Sequence, residues 1–236
     1  MAEQSYDKLA TAIDRSKKTA GEKAVDYIED GMTIGLGSGS TVYWMMKKLG
    51  NRVKEGLSVR GIPSSIRTEN WAKEFGIPLT NFEEVQELDL AIDGADEVDP
   101  HFHLLKGAGG SLVREKIVNT ASKKVIIIAD DTKFVQQLGK TPLPIEVITF
   151  GWQAAAKQIS GLGGSIQLRE ACNQPFVSDN GHYILDCKFE SIADPKTFHE
   201  KLIQIPGIVE TGIFIDLADL LILGDDQNVK TFHKPQ

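Results

Sequence analysis

Apolar residues follow two alternating patterns over the first part of the chain. Ala20, Ala24, Val25 and Ile28 recur at helical spacing, and with Ser16 as N-cap and Gly31 as the stop they predict an amphipathic helix over 16–30. The polar residues 1–15 before it read as a lead that frays. Residues 32–36 form a short apolar run of strand type, after which Val42, Met45, Met46 and Leu49 return to the helical period. The signals repeat as a strand over 57–62 and a helix over 66–75 stopped by Gly76. Short strands at 77–79 and 88–92 follow, then a helix from Ser111 through Val118. The almost wholly apolar run 124–129 has the character of a central parallel strand.

From residue 140 the rhythm changes, with Pro142 and Pro144 interrupting the alternation. Residues 145–150 read as a strand, 152–159 as a helix and 165–169 as a strand. Residues 176–178 and 183–186 flank Asp179-Asn180-Gly181, a hairpin signal. A helix over 195–205 stops at Gly207, and 208–215 and 220–223 are further strands. Strand–helix–strand–strand–helix–strand is the split βαβ order of a ferredoxin-like unit. The expected class is α/β: a Rossmann-like, mostly parallel sheet domain over 1–140 plus 216–236, and a smaller ferredoxin-like α+β domain over 141–215.

Composition narrows the function more than the fold. A net charge of −7 over 236 residues argues against a general nucleic-acid binder, which carries a basic face, but permits a local anion pocket. No run of about 18 apolar residues exists, so no membrane span is expected. With no apolar leader at the N-terminus, the expected compartment is the cytoplasm. Cys172 and Cys187 form no CxxC pair and read as reduced, structural thiols.

Two glycine-rich turns carry the candidate chemistry. The first, Gly35-Leu36-Gly37-Ser38-Gly39-Ser40-Thr41, joins a strand to a helix, which aims backbone N–H groups and a helix N-terminus at an anion. It is not a P-loop, since no lysine precedes Ser40 or Thr41. Nor is it a dinucleotide fingerprint: Ser40 stands where the third glycine belongs, and the next strand ends in Pro63-Ser64-Ser65 rather than in an acid. The second turn, Lys106-Gly107-Ala108-Gly109-Gly110, follows Asp93, Asp96 and Glu97 and leads into a helix carrying Arg114, Glu115 and Lys116. Acids at a strand end, a lysine, a glycine nest and a further acid suit acid–base work on a small anion. Asp130-Asp131-Thr132-Lys133 closes the 124–129 strand on the edge where ligands of open α/β sheets gather. Lys17 and Lys18 fall in the first turn of the 16–30 helix, where the dipole disfavours cations, so they sit in solvent or serve an anion.

Plainer readings stand beside these. Glu115 also fits a solvated charged helix face, Asp93 and Asp96 turn caps, and Glu97 and Asp99 structural acids. Arg114 and Lys116 fit surface ion pairs, and Trp44, Trp71 and Trp152 fit packing roles. His101 and His103 share a loop without a third residue at metal-ligand spacing, and His182, His199 and His233 follow no pattern.

Five stretches together resemble the A-type ribose-5-phosphate isomerase family: GLGSGST at 35–41, IDGADEVDP at 92–100, LKGAGGSLVREKIV at 105–118, IIADDTKFVQQLGKTPLPIEV at 127–147 and PGIVETGIF at 206–214. The resemblance covers essentially the whole chain, and IDGADE followed by KGxGGxLxREK is its most specific part. It implies interconversion of ribose 5-phosphate and ribulose 5-phosphate in the non-oxidative pentose phosphate route, with no metal and no cofactor. It implies a small-molecule sugar phosphate as partner, with no nucleic acid and no membrane, and a homodimer or homotetramer. Residue by residue, the catalytic base falls on Glu115, and further catalytic groups on Asp93, Asp96 and Lys106. The substrate-binding loop falls on Ser38, Gly39, Ser40 and Thr41. Gly94 and Ala95, between the aspartates, and Gly107, Ala108 and Gly109, beside the lysine, also fall on substrate-binding positions. Lys133 and Lys17 match lysines on the phosphate side. The chain departs from the family at Ala108, often Gly or Arg, and at Ser38, often Thr; the N–H and the hydroxyl survive.

Such an isomerisation moves one proton between C1 and C2 through a cis-enediolate. A carboxylate suits this if desolvation brings its pKa toward neutrality, the role expected of Glu115. Lys106 and the N–H groups of Gly107 to Gly110 would hold the enediolate oxygen. Asp93 or Asp96 would handle hydroxyl protons and ring opening. Two rivals remain: a sugar-phosphate-sensing domain, which usually comes with a helix-turn-helix segment this chain lacks, and a CoA-transferase-like enzyme, which Lys106 and Asp93 do not support.

Overall fold

The computed structural model describes residues 11–234, so positions 1–10 of the polar lead lie outside the described residues. The chain divides into two compact units. One holds the residues up to Gly94, Ile117–Lys133 and those from Ala218 on; the other holds Ala95–Lys116 and Phe134–Leu217.

The first unit is built on a six-stranded sheet. In spatial order its strands are Val229–His233, Leu220–Gly224, Val125–Asp130, Leu90–Gly94, Thr33–Leu36 and Arg60–Pro63. Neighbours run parallel except at Val229–His233, an antiparallel edge strand. The inner strands are mostly apolar and almost wholly buried because helices cover them, with Thr33, Asp93 and Asp130 as buried polar exceptions, and their core includes Ile34, Leu36, Leu90, Ile92, Ile126 and Ile128. From Thr33–Leu36 the chain crosses to Arg60–Pro63 through α2 (Ser40–Lys54). It then returns past its starting strand, through α3 (Ile66–Phe75), to Leu90–Gly94. The order reverses between Thr33–Leu36 and Leu90–Gly94, and such switch points open a crevice at the carboxyl ends of the strands.

α1 differs from the expected 16–30 helix. It spans Ala12–Ala24 and is opened by a capping box in which Thr11 and Asp14 exchange hydrogen bonds. Aspartate takes the place glutamate usually holds in that motif, so the helix starts one turn early. Ser16 is therefore not a cap but an interior residue whose hydroxyl donates to Ala12 O. Lys17 and Lys18 lie past the first turn, and Lys18 pairs with Glu22 at 2.9 Å.

The second unit carries a four-stranded antiparallel sheet in the order Ile208–Thr211, Leu143–Val147, Tyr183–Lys188, Ser165–Leu168. With α5 (Trp152–Ser160) and α6 (Pro195–Ile203), this is the split βαβ arrangement. Pro144 lies inside an inner strand rather than before it, and its carbonyl accepts from Gly212 N at 2.7 Å. The run 208–215 is two strands. Ile208–Thr211 joins the four-stranded sheet, whereas Ile213–Phe214 joins a three-stranded one with Leu104–Leu105 and Glu97–Val98. Gly212 is the joint: a Cβ there would lie 2.2 Å from Lys106 O. A short hairpin, Glu170–Ala171 with Gln174–Pro175, was not foreseen. It turns through Cys172 and Asn173, both with positive φ, as a type I′ turn requires. The foreseen strand over 176–178 is only a single bridge, Val177 to Tyr183. The α4 helix, Leu112–Thr120, begins in this unit and ends in the first.

Candidate active site

In the first unit the loop after Thr33–Leu36 feeds directly into α2. Gly39, at φ 109, is the N-cap, so Ser40 and Thr41 open the helix. The first N–H groups of a helix have no partner within it and, with the dipole, form an anion cradle. Asp93 anchors this loop from the next strand. It is fully buried, and its carboxylate accepts from Ser38 N at 3.0 Å, Gly94 N at 2.8 Å and Asn119 Nδ2 at 3.1 Å. The fit leaves no room for a side chain at Gly37, where a Cβ would meet Asp93 Oδ1 at 2.2 Å.

The Ser38 hydroxyl is committed elsewhere. It donates to Ser65 Oγ at 2.8 Å, Ser65 to Thr68 Oγ1 at 2.9 Å, and Thr68 to Gly37 O at 2.8 Å. Ser64 Oγ lies 3.0 Å away. Ser65 also caps α3. Pro63-Ser64-Ser65, read from sequence only as the absence of a ribose-binding acid, thus fastens the loop. Among the described residues, no hydrogen bond or ion pair joins Lys17 or Lys133 to it. Lys133 ends a 3₁₀ turn, Asp131–Lys133, after Asp130.

In the second unit Glu115 stands in the first turn of α4, where a carboxylate is favoured. It is 5% exposed and pairs with Lys106, 2% exposed, at 3.3 Å. The charged-face reading of Glu115 therefore fails. A base paired with a buried ammonium is a donor–acceptor couple of the kind proton abstraction beside a developing oxyanion requires. Lys106 is held by its main chain, whose N–H donates to Gly212 O at 2.8 Å. The nest follows, with Gly107 and Gly110 at φ 105 and 84. Ala108 N donates to Asp96 Oδ2 at 2.9 Å, and Ala108 and Gly109 are exposed.

Three residues outside the sequence reading shape the two halves. Asn119 lies one helical turn after Glu115, a spacing that puts both on one face and was legible in principle. Arg169 reaches the nest from some 60 positions away: Nη1 donates to Gly107 O at 2.9 Å and Ala108 O at 3.1 Å. Its Nε and Nη2 meet Asp186, and the guanidinium lies over Phe176. Glu146, fully buried, accepts from Ser178, Asn180 and His182 and so braces the turn to which Arg114 donates. No short-range signal marks Arg169 or Glu146.

Of the two neighbouring charges expected in surface pairs, Arg114 forms one, with Asp179 at 4.0 Å, and Lys116 does not. Lys116 Nζ donates to Thr211 O and Ile213 O at 3.0 and 2.8 Å and pairs with Glu210. Burial pulls its pKa down from the ordinary lysine value, with Glu210 acting against it. Arg114 mainly holds the Asp179–Asn180 backbone and side chain. Glu97 is structural: it is buried and accepts from Gly139 N and Thr141 N and Oγ1. Asp99 accepts from His101 N and His103 N and pairs with the His103 ring, organising its own turn.

A family model described as ribose 5-phosphate isomerase A (phosphoriboisomerase A) matches residues 60–228. The chain is 51% identical over 217 residues to ribose-5-phosphate isomerase A 1 of Oceanobacillus iheyensis, covering 92% of this chain and 97% of that one. It is 50% identical over 217 residues to ribose-5-phosphate isomerase A of Bacillus mycoides, covering 92% and 98%. A solved D-ribose-5-phosphate isomerase in complex with phospho-erythronic acid superposes with a TM-score of 0.91 at 39% identity, over 94% of this chain and 100% of that one. The ribose 5-phosphate isomerase A of Methanocaldococcus jannaschii gives 0.88 at 37%, over 92% and 98%.

Proposed function

The chain belongs to the ribose 5-phosphate isomerase A family and interconverts ribose 5-phosphate and ribulose 5-phosphate, and from that premise we propose how its residues divide the reaction. The buried Lys106–Glu115 pair carries the reading. Glu115 takes the proton from one carbon and returns it to the other; Lys106 and the nest amides stabilise the oxygen on which charge develops. Asp96 exchanges hydroxyl protons and assists ring opening, because one of its oxygens is committed to Ala108 N and the other has no hydrogen bond among the described residues. Asp93 is committed to the loop and acts by holding it. Gly39, Ser40 and Thr41 take the phosphate with the amides and hydroxyls that open α2, while Ser38 supports them through Ser65 and Thr68. Gly94, Ala95, Gly107, Ala108 and Gly109 line the sugar, and Lys17 and Lys133 serve the phosphate charge. Holding the phosphate converts remote binding energy into orientation of C1 and C2.

The enzyme works without metal or cofactor, in the cytoplasm, as a homodimer or homotetramer. Its free cysteines fit a reducing compartment: Cys172 is exposed, and burial raises the Cys187 thiol pKa and keeps it inert. Among the described residues no helix is long and apolar enough to cross a membrane. The test is turnover of ribose 5-phosphate after EDTA treatment. Glu115→Gln is expected to lose at least about 100-fold in kcat while still binding phospho-erythronic acid. An inactive wild type overturns the function, and a fully active Glu115→Gln overturns the base.

A further inference from the structure

Two successive peptide units of the nest, Gly107–Ala108 and Ala108–Gly109, have their carbonyls tied down. A trans peptide points its C=O and N–H in opposite directions, so fixing the carbonyl of one residue fixes the amide of the next. Arg169 Nη1 holds Gly107 O and Ala108 O, two successive carbonyls. The first grip turns the Ala108 N–H away from the guanidinium, and that amide is found on Asp96 Oδ2 at 2.9 Å. By the same rule, the grip on Ala108 O turns the Gly109 N–H away from Arg169. Among the described residues no hydrogen bond takes that Gly109 amide, and Gly109 is exposed, with nothing within 4 Å of a Cβ built on it. Arg169 is itself locked. Asp186 occupies its Nε and Nη2, Phe176 lies beneath its plane at 5.8 Å, and the ring closes under Gly110, where a Cβ would meet Phe176 at 2.5 Å. An arginine held by one carboxylate through both Nε and Nη2 cannot swing away without breaking a bidentate pair.

We propose that Arg169 is a positioning residue of the isomerase: by gripping the Gly107 and Ala108 carbonyls it presets the Gly109 N–H as a donor to the enediolate oxygen and sets Asp96 through the Ala108 N–H. The assignment rests on the isomerase reading above. The Gly110 N–H closes the turn on Gly107 O at 3.0 Å, but such a closure leaves the central Ala108–Gly109 peptide free to face either way, and oxyanion stabilisation depends on donors already oriented before charge develops. Arg169 does not touch substrate; it acts on the transition state through the loop, so its loss should appear in kcat rather than in phosphate capture.

The test uses Arg169→Met, which keeps much of the stem volume, and Arg169→Lys, which keeps a charge for Asp186 but cannot grip two carbonyls and a carboxylate at once. In both, kcat is expected to fall roughly 10- to 100-fold, as for small misplacements of catalytic groups, with KM nearly unchanged. Inhibition by a phosphorylated aldonic acid, whose carboxylate mimics the enediolate oxygens, should weaken by a similar factor. Inhibition by inorganic phosphate should hold. If Arg169→Met does not fold, Arg169→Lys reads the same split. Unchanged kcat in a folded variant, or a parallel decline of kcat, aldonic-acid inhibition and phosphate inhibition, overturns the proposal. Absent turnover in the wild type instead fails the isomerase reading itself.

Discussion

The two aspartates of the DGAD stretch differ in what surrounds them, and the proposed division of their roles follows that difference. Asp93 is enclosed and accepts three donors. In Asp93→Asn the charge-assisted bonds are lost, and the new NH2 meets the Asn119 amide, which must turn its Oδ1 inward to accept it. The expected destabilisation is about 2–3 kcal/mol in urea unfolding, with a raised KM as the phosphate loop loosens. Asp96 is partly exposed, and only its bond to Ala108 N is at stake. Asp96→Asn is expected to leave stability nearly unchanged and lower kcat by about 100-fold. Equal stability loss in both variants would show that burial does not distinguish them. Asp93 and Asp96 share one sequence motif, so the motif alone could not tell them apart; the packing around each side chain does.

At the scale of elements, the sheet edge depends on acids that cap main-chain groups. Asp89 Oδ2 accepts Thr33 N at 3.0 Å, at the start of the strand that feeds the glycine-rich loop before α2, and Lys123 pairs with its other oxygen. The Thr33 amide first, and Lys123 second, hold the Asp89 carboxyl below its ordinary pKa. A depressed carboxylate contributes stability above its unfolded pKa of about 4, and loses it as pH falls through the lower folded value. Asp89→Asn should therefore be less stable than wild type at pH 7 and converge with it in strong acid, by urea midpoints at a series of pH values. A gap that persists unchanged below pH 3 would sink this. Elements also explain the misread boundaries. Strand and helix periodicity located nearly every run, but the split of 208–215 turns on Gly212, whose tight contact with Lys106 O lies far off in sequence.

For the whole molecule, each unit has its own apolar core, one around Leu36, Ile92 and Ile128, the other around Ile145, Leu185 and Ile213. A chain of net charge −7 that binds a phosphate ester must concentrate its positive potential locally, at helix N-termini and individual lysines. Ligand that binds only the native state stabilises all of it by mass action. Ribose 5-phosphate at 100 times its Kd is expected to raise the unfolding free energy of Glu115→Gln, in which turnover is suppressed, by about 2.7 kcal/mol. The absence of any thermal shift at that concentration would mean that the variant no longer binds.

The sequence by itself determined the alternation of strands and helices, the ferredoxin-like order of the second unit and the family, because hydrophobic period, glycine turns and short motifs are local quantities. It singled out Glu115, Lys106 and the loop at 38–41 as candidates for the chemistry. It also left α1 starting late, because an aspartate in a capping box is a weak signal. Only the tertiary structure decided that Glu115 and Lys106 are buried together, that Ser38 turns its hydroxyl to Ser65, and that Arg169 grips the nest. Those are contacts between residues far apart in the chain, and no local period encodes which distant donor a folded carbonyl will meet.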